Sequence, residues 1–218
     1  MRFDCAIFDL DGTLVDSQSM WTLAKTKVLT DRGFVLSREE TLHIMTMEFP
    51  EILHALSTEW PTGLTPEEVL AEITETVKFH YASTIPPKAG VVDLLDRLEA
   101  MGVVRCLATA SWEERFMPLL RRLELDRRLD HIVTAAMVGR NKHFPDVFLE
   151  AARRAGADPA RTVVFEDSLY SVRAAKQAGF YVVGLHEPAS DGSEEVMRSL
   201  CDGYIQDFTC LPQNFWQD

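Results

Sequence analysis

Cysteine is scarce in this chain: four residues, Cys5, Cys106, Cys201 and Cys210, with no Cys-x-x-Cys pair among them. That usage offers no disulfide framework, and reduced thiols in a cytoplasmic setting are expected. Positive charge is also in short supply. Lys and Arg total 22 against 34 Asp and Glu, a net charge of −12. Without a basic footprint, binding to nucleic acid or to an anionic membrane surface is not expected. Long apolar runs are missing too, since no stretch reaches the roughly 18 uninterrupted apolar residues of a membrane span. The amino terminus, Met1-Arg2-Phe3-Asp4, shows no apolar run ahead of the first predicted strand, so no signal peptide is expected. Internal repeats and low-complexity segments are absent. What remains, 46% hydrophobic and 26% charged residues over 218 positions, suits a globular chain with one full core and room for a smaller insert.

The apolar pattern changes period twice. Cys5-Ala6-Ile7-Phe8 is a short apolar run without polar alternation, as in a strand buried on both faces. From Ser17 to Ala82 the spacing is helical, with predicted helices over about 17–32 (closed by Gly33), from 37 onward, over 51–58 and from 65 onward. Ser37 with Glu40 and Thr65 with Glu68 make capping boxes, and Pro66 fits a first helical position. Pro86-Pro87 then ends the helical stretch. From Gly90 onward helices and strands alternate. A helix marked by Val91, Leu94, Leu95, Leu98 and Met101 stops at Gly102, and a strand over 103–108 follows. A third capping box, Ser111 with Glu114, opens a helix to about 123. A weaker strand lies at 131–134, a helix at 145–155, a strand at 162–165, a helix at 169–178 and a strand at 181–185. Alternation of this kind implies right-handed crossovers and a parallel sheet covered on both faces. The expected fold class is α/β: a doubly wound, Rossmann-like parallel-sheet core from residues 1–15 and 86–218, with an inserted α-helical cap domain over 16–85. The aromatic residues of Leu211-Pro212-Gln213-Asn214-Phe215-Trp216 are expected to pack on that core.

Polar residues collect at the ends of the predicted strands, where open α/β sheets bind ligands. Asp9 and Asp11 follow the first strand, one residue apart, and precede Gly12. Two acids held together there are costly unless a cation or catalysis requires them. A plain Asp-Gly turn would also account for them. A calcium loop would not: Gly12 comes three residues after Asp9 instead of five, and Met20 stands where a bidentate Glu belongs. Thr109-Ala110-Ser111 ends the second strand, where a hydroxyl and the amides of a helix start can hold phosphate oxygens. Lys142 lies in Val138-Gly139-Arg140-Asn141-Lys142-His143, and Glu166-Asp167 ends an apolar strand with two acids where a helix cap needs one.

Asp9-Leu10-Asp11-Gly12-Thr13-Leu14-Val15-Asp16-Ser17 resembles the first motif of the haloacid dehalogenase (HAD) superfamily. Thr109, then Lys142 ahead of Pro145-Asp146-Val147-Phe148, then Phe165-Glu166-Asp167-Ser168 with Arg173-Ala174-Ala175-Lys176, match its other three motifs in order. The helical insert resembles the cap of the subfamily holding phosphoglycolate phosphatase, sugar-phosphate phosphatases and β-phosphoglucomutase. Two positions depart from the pattern: relatives usually have Pro where His143 stands, and commonly Gly where Ser171 stands.

The resemblance implies a magnesium-dependent phosphatase acting on a small phosphorylated metabolite through an aspartyl-phosphate. Asp9 would be the nucleophile and Asp11 the general acid and base. Thr109, Ala110 and Lys142 would bind phosphate. Asp9, Asp11 through its carbonyl, Asp167 and Glu166, directly or from behind, would serve the Mg2+. An acid at Asp11 disfavours dehalogenase and phosphonatase chemistry. The alternatives are a phosphomutase of the β-phosphoglucomutase type, which uses the same motifs, and a non-catalytic binding module. No motif specifies the oligomeric state. Trp21, Lys25, His43 and Lys78 are candidates for facing the substrate, although Trp21 at its helical spacing is expected in the core and the two lysines are expected to be solvated.

Overall fold

The structure, a computed structural model, describes residues 2–47, 49–187 and 194–217. Its residues fall into two units, Met1–Asp16 with Pro86–Asp218, and Ser17–Ile85. The chain starts in the first of these with β1 (Cys5–Phe8), buried along its whole length as its unbroken apolar run requires.

The second unit is helical: α1 (Gln18–Thr30), α2 (Arg38–Thr46), α3 (Phe49–Thr58) and α4 (Pro66–Ser83). Both expected capping boxes form, Ser37 with Glu40 and Thr65 with Glu68, and Pro66 opens α4. Val69, Ile73, Val77 and Tyr81 make one buried stripe along α4, and α1 buries Met20, Ala24, Val28 and Leu29. Arg32 clamps the two helices through paired hydrogen bonds to Glu72 at 2.6 and 2.9 Å. Lys25 is not solvated, against expectation. It is buried, and its Nζ donates to the carbonyls of Met47 at 2.7 Å and of Ile44 and Met45 at 3.4 Å, holding the carboxyl end of α2 with a cation. Trp21 is half-buried and not in the core, and Lys78 is exposed beside Glu75.

The rest of the chain returns to the first unit. It runs α5 (Val91–Ala100), β2 (Val104–Thr109), α6 (Glu113–Arg122), β3 (His131–Thr134), α7 (Ala135–Val138), α8 (Asp146–Ala155), β4 (Thr162–Glu166), α9 (Leu169–Gln177), β5 (Tyr181–Leu185), α10 (Glu194–Leu200) and β6 (Gly203–Ile205). Among the described residues six parallel strands form one sheet in the order β3-β2-β1-β4-β5-β6. This is the doubly wound α/β architecture expected. Three elements have no counterpart in the sequence reading: α7, α10 and β6, of which β6 is a three-residue edge strand.

Gly90 precedes α5 with φ +81°, and a Cβ there would meet the Thr209 backbone nitrogen at 2.8 Å. Trp216 is buried, its ring packed with those of Phe3, Phe165 and Phe215 at 5.0–6.3 Å, so the final aromatics do pack on the core. All four cysteines are free, with the buried Cys5 and Cys106 sulfurs 3.8 Å apart on neighbouring strands. Among the described residues no helix is long and apolar enough to cross a membrane.

Candidate active site

From β1 the chain builds β2 and β3 on one side, then crosses to β4 on the other. The order therefore reverses between β1 and β4, and their carboxyl ends open the crevice where such sheets bind ligands. Phe8 pairs with Phe165, their rings stacked at 5.0 Å and 6°. One residue further, Asp9 and Glu166 emerge level with each other. The Asp9 N–H still donates to the Phe165 carbonyl at 3.0 Å. Beyond it the backbone turns sharply: Leu14 N–H donates to the Asp9 carbonyl at 3.3 Å and Val15 N–H to the Leu10 carbonyl at 3.0 Å. Gly12 sits inside that turn at φ +82°, a region that favours glycine.

Lys142, fully buried, reaches this point from the loop before α8. Its Nζ donates to Asp9 Oδ1 at 2.6 Å, to Glu166 Oε1 and to the Ala108 carbonyl at 3.2 Å, over the face of the Phe148 ring. Glu166 Oε2 accepts from the Ser168 N–H at 2.8 Å, so both its oxygens are engaged. Thr13 Oγ1 lies 3.5 Å from Asp167 Oδ1. From the end of β2, Ser111 Oγ donates to Asp11 Oδ2 at 2.7 Å, and Ser111 N–H donates to Thr109 Oγ1 at 3.0 Å. This corrects the third capping box. The Ser111 hydroxyl is turned toward the Asp11 side chain on the turn after β1, α6 starts two residues later, and Trp112 at its N-cap supplies no side-chain cap.

Asp9, Asp11, Thr109, Lys142, Glu166 and Asp167 are thus gathered at one end of the sheet, with the exposed Ala110 on the same turn as Thr109. The charges are unbalanced. Oxygens of Asp9, Glu166 and Asp167 lie within 4.8 Å of one another around a single ammonium. Burial, opposed by Lys142 and reinforced by Glu166 and Asp11, pushes the Asp9 carboxyl up to about 7. Burial also drives the Asp167 carboxyl well above the usual range, with Glu166, Asp9 and Glu187 adding to it. Burial disfavours the charge on Lys142, but Asp9 and Glu166 outweigh it and hold its pKa above the ordinary lysine value. Crowded, dry carboxylates with one counter-charge are the donor set of a hard divalent cation, so the residues fit magnesium. Since Glu166 is spent on Lys142 and Ser168, Asp9 and Asp167 are the better placed of the three.

The sequence reading gave no role to four residues here, although it marked His143 and Ser171 as departures from the family pattern. Glu187, two positions beyond β5, is buried and pairs with Lys88 Nζ at 2.9 Å. The signal that marks Glu166, an acid just past an apolar run, also marks Glu187, one residue beyond His186. His143, next to Lys142 in the chain, and Tyr170, four residues after Glu166, stack at 4.4 Å and 17°, a contact no local pattern announces. Ser171, at the position where relatives commonly have Gly, is buried and its hydroxyl finds no hydrogen-bond partner among the described residues.

The family model described as haloacid dehalogenase-like hydrolase matches residues 6–185. A phosphorylated carbohydrates phosphatase of Thermotoga maritima is 27% identical over 190 residues, covering 87% of this chain and 88% of its own. A fructose-1-phosphate phosphatase of Escherichia coli is 29% identical over 184 residues, 84% of this chain and 96% of that one. Among solved structures, a HAD family hydrolase of Deinococcus radiodurans with bound phosphate and sodium superposes with a TM-score of 0.75 at 27% identity, covering 94% of this chain and 91% of that chain.

Proposed function

Since the chain belongs to the haloacid dehalogenase-like hydrolases, we propose that it is a magnesium-dependent phosphatase of small phosphorylated carbohydrates, working through an aspartyl-phosphate on Asp9. The observation that carries this reading is the Asp9 carboxylate, held at 2.6 Å by Lys142 beside Asp167, at the point where the strand order reverses. The phosphatases among its relatives supply the substrate class.

In the first step Asp9 attacks phosphorus, and the bond to the sugar oxygen breaks. Asp11, oriented by the Ser111 hydroxyl, gives that oxygen its proton. In the second step Asp11 takes a proton from water, which attacks the aspartyl-phosphate and releases phosphate with Asp9 restored. Lys142 favours the ionised form of Asp9 against the effect of burial and, with the Thr109 hydroxyl and the Ala110 N–H, binds the phosphoryl oxygens. Asp9 and Asp167 would hold the magnesium with the Asp11 carbonyl, and Glu166 would fix Lys142 from behind. Magnesium, when bound, offsets the repulsion between an anionic nucleophile and an anionic phosphate. Residues 16–85 would act as a cap that limits water access during the first step.

The test is a panel of sugar phosphates with magnesium, read as free phosphate. Release should depend on the divalent cation and vanish in Asp9→Asn. Full activity in Asp9→Asn, or in the presence of excess chelator, would sink the reading. Hexose 1-phosphate belongs in the panel, because accumulation of the 6-phosphate in place of free phosphate would show a phosphomutase.

A further inference from the structure

Lys142 needs outside help to stay where it is. A lysine side chain is flexible, and ordering it over its whole length is entropically unfavourable. The reading of Lys142 as a phosphate-binding group, on which the following rests, requires its backbone to be held as well as its ammonium. The loop that carries it makes mainly local contacts: His143 N–H to Asn141 Oδ1 at 3.2 Å, Phe144 N–H to the Asn141 carbonyl at 3.1 Å, and the Arg140 guanidinium over the Phe144 ring at 4.2 Å. None of these ties the loop to the turn after β4, where its partner Glu166 sits.

The His143–Tyr170 stack does. The rings lie nearly parallel at 4.4 Å, joining the residue after Lys142 to the residue three beyond Asp167. The Ser168 N–H donates to Glu166 Oε2 at 2.8 Å, so the turn that leads to Tyr170 also holds Glu166. Glu166 Oε1 accepts from Lys142. The loop and the turn after β4 are therefore joined twice, by the His143–Tyr170 stack and by Lys142 to Glu166. Two such contacts fix the distance between the loop and the turn better than one flexible side chain does. Proline at position 143 would stiffen the loop through its own φ; an imidazole cannot, and here it stiffens the loop by stacking.

We propose that His143 and Tyr170 are positioning residues, a stacked pair that holds Lys142 in register with Asp9 and Glu166 for phosphate binding. An aromatic pair is a rigid tether with few rotatable bonds, and Tyr is well suited to it.

The experiment measures two quantities with magnesium present: kcat/KM for the best sugar phosphate of the panel, and the Kd of inorganic phosphate by calorimetry. Both are taken on wild type, His143→Ala, Tyr170→Ala, the double variant and Tyr170→Phe. Each alanine variant should lower kcat/KM and weaken phosphate by about tenfold, the scale of one aromatic pair. The double variant should be no worse than either single, because both remove the same contact. Tyr170→Phe keeps the ring and should recover to within about threefold, with thermal midpoints unchanged throughout. Alanine variants that match wild type would overturn the proposal. So would single effects that multiply in the double variant, or a loss that follows thermal stability and ignores the Phe rescue. A wild-type protein that neither binds nor releases phosphate would bring down the phosphatase reading and this inference with it. Normal wild-type values with indifferent variants bring down the positioning role alone.

Discussion

Replacing Asp9 with Asn in the metal-free protein should remove a pH dependence of stability that the native carboxyl imposes. In the fold Asp9 titrates near about 7, against an ordinary value of 3.8. The neutral form is therefore the one the fold prefers. Between those two values the native state binds a proton that the unfolded chain has already lost, so stability falls as pH rises. Above about 7 both states are ionised and the penalty levels off. Each pH unit crossed inside that window costs on the order of 1 kcal/mol, so the accumulated penalty is about 2 kcal/mol at pH 5 and about 4 kcal/mol at pH 8. Wild type should therefore lose about 2–3 kcal/mol relative to Asp9→Asn between about pH 5 and about pH 8. Relaxation of the apo site would shrink that difference without reversing its sign. Urea unfolding of both proteins in chelator, at half-unit pH steps, measures it directly, and taking the difference cancels titrations the two share. Saturating magnesium should flatten the slope, because a cation favours the ionised carboxylate. A difference that is constant with pH, or that moves in favour of wild type as pH rises, would refute the argument that burial and crowding dominate at Asp9.

Ser111→Ala should lower kcat by about five- to tenfold with little change in KM, since it removes the 2.7 Å donor that orients Asp11; an unchanged kcat would show that Asp11 needs no such guide. Ser171→Ala should stabilise the protein by about 1 kcal/mol, because the buried hydroxyl has no partner among the described residues and Ala is the better helix former. Calorimetry should then show a midpoint higher by about 2–4 °C, and a fall would mean that the hydroxyl is satisfied. Gly90→Ala should cost more than about 2 kcal/mol, from the positive φ and the 2.8 Å approach to the Thr209 nitrogen. An unshifted urea midpoint would contradict it.

The architecture was readable from sequence wherever burial left a long signature. Apolar runs such as Val163-Val164-Phe165, ended by acids and followed by helical spacing, announce a parallel strand and its helix. Gly203-Tyr204-Ile205, only three residues long and half-buried at the sheet edge, is too short to do the same. The polar strand ends were visible for a chemical reason: Asp9, Thr109 and Glu166-Asp167 interrupt patterns that packing alone would have continued. Side-chain partners were not visible. Ser111 satisfies the spacing of a capping box, but its hydroxyl is won by Asp11, 100 residues away in the chain. Lys25 looks like any surface lysine until the end of α2 folds over it and offers three carbonyls. In both cases a local rule lost to a tertiary acceptor that no window of sequence contains.

The doorway of the helical insert has a consequence for how such proteins diversify. Asp16 N–H donates to the Pro86 carbonyl at 3.1 Å, Lys88 N–H donates to the Leu14 carbonyl at 2.9 Å, and Val15 and Pro87 form a bridge. The two ends are therefore zipped together within the core, and to the sheet everything between them is one closed loop. Closure entropy grows only with the logarithm of loop length, about 0.6 kcal/mol for each doubling. An insert of another size could replace this one at that doorway without retuning strand register or moving Asp9. The sheet and the insert can then vary in size independently of one another at a single seam.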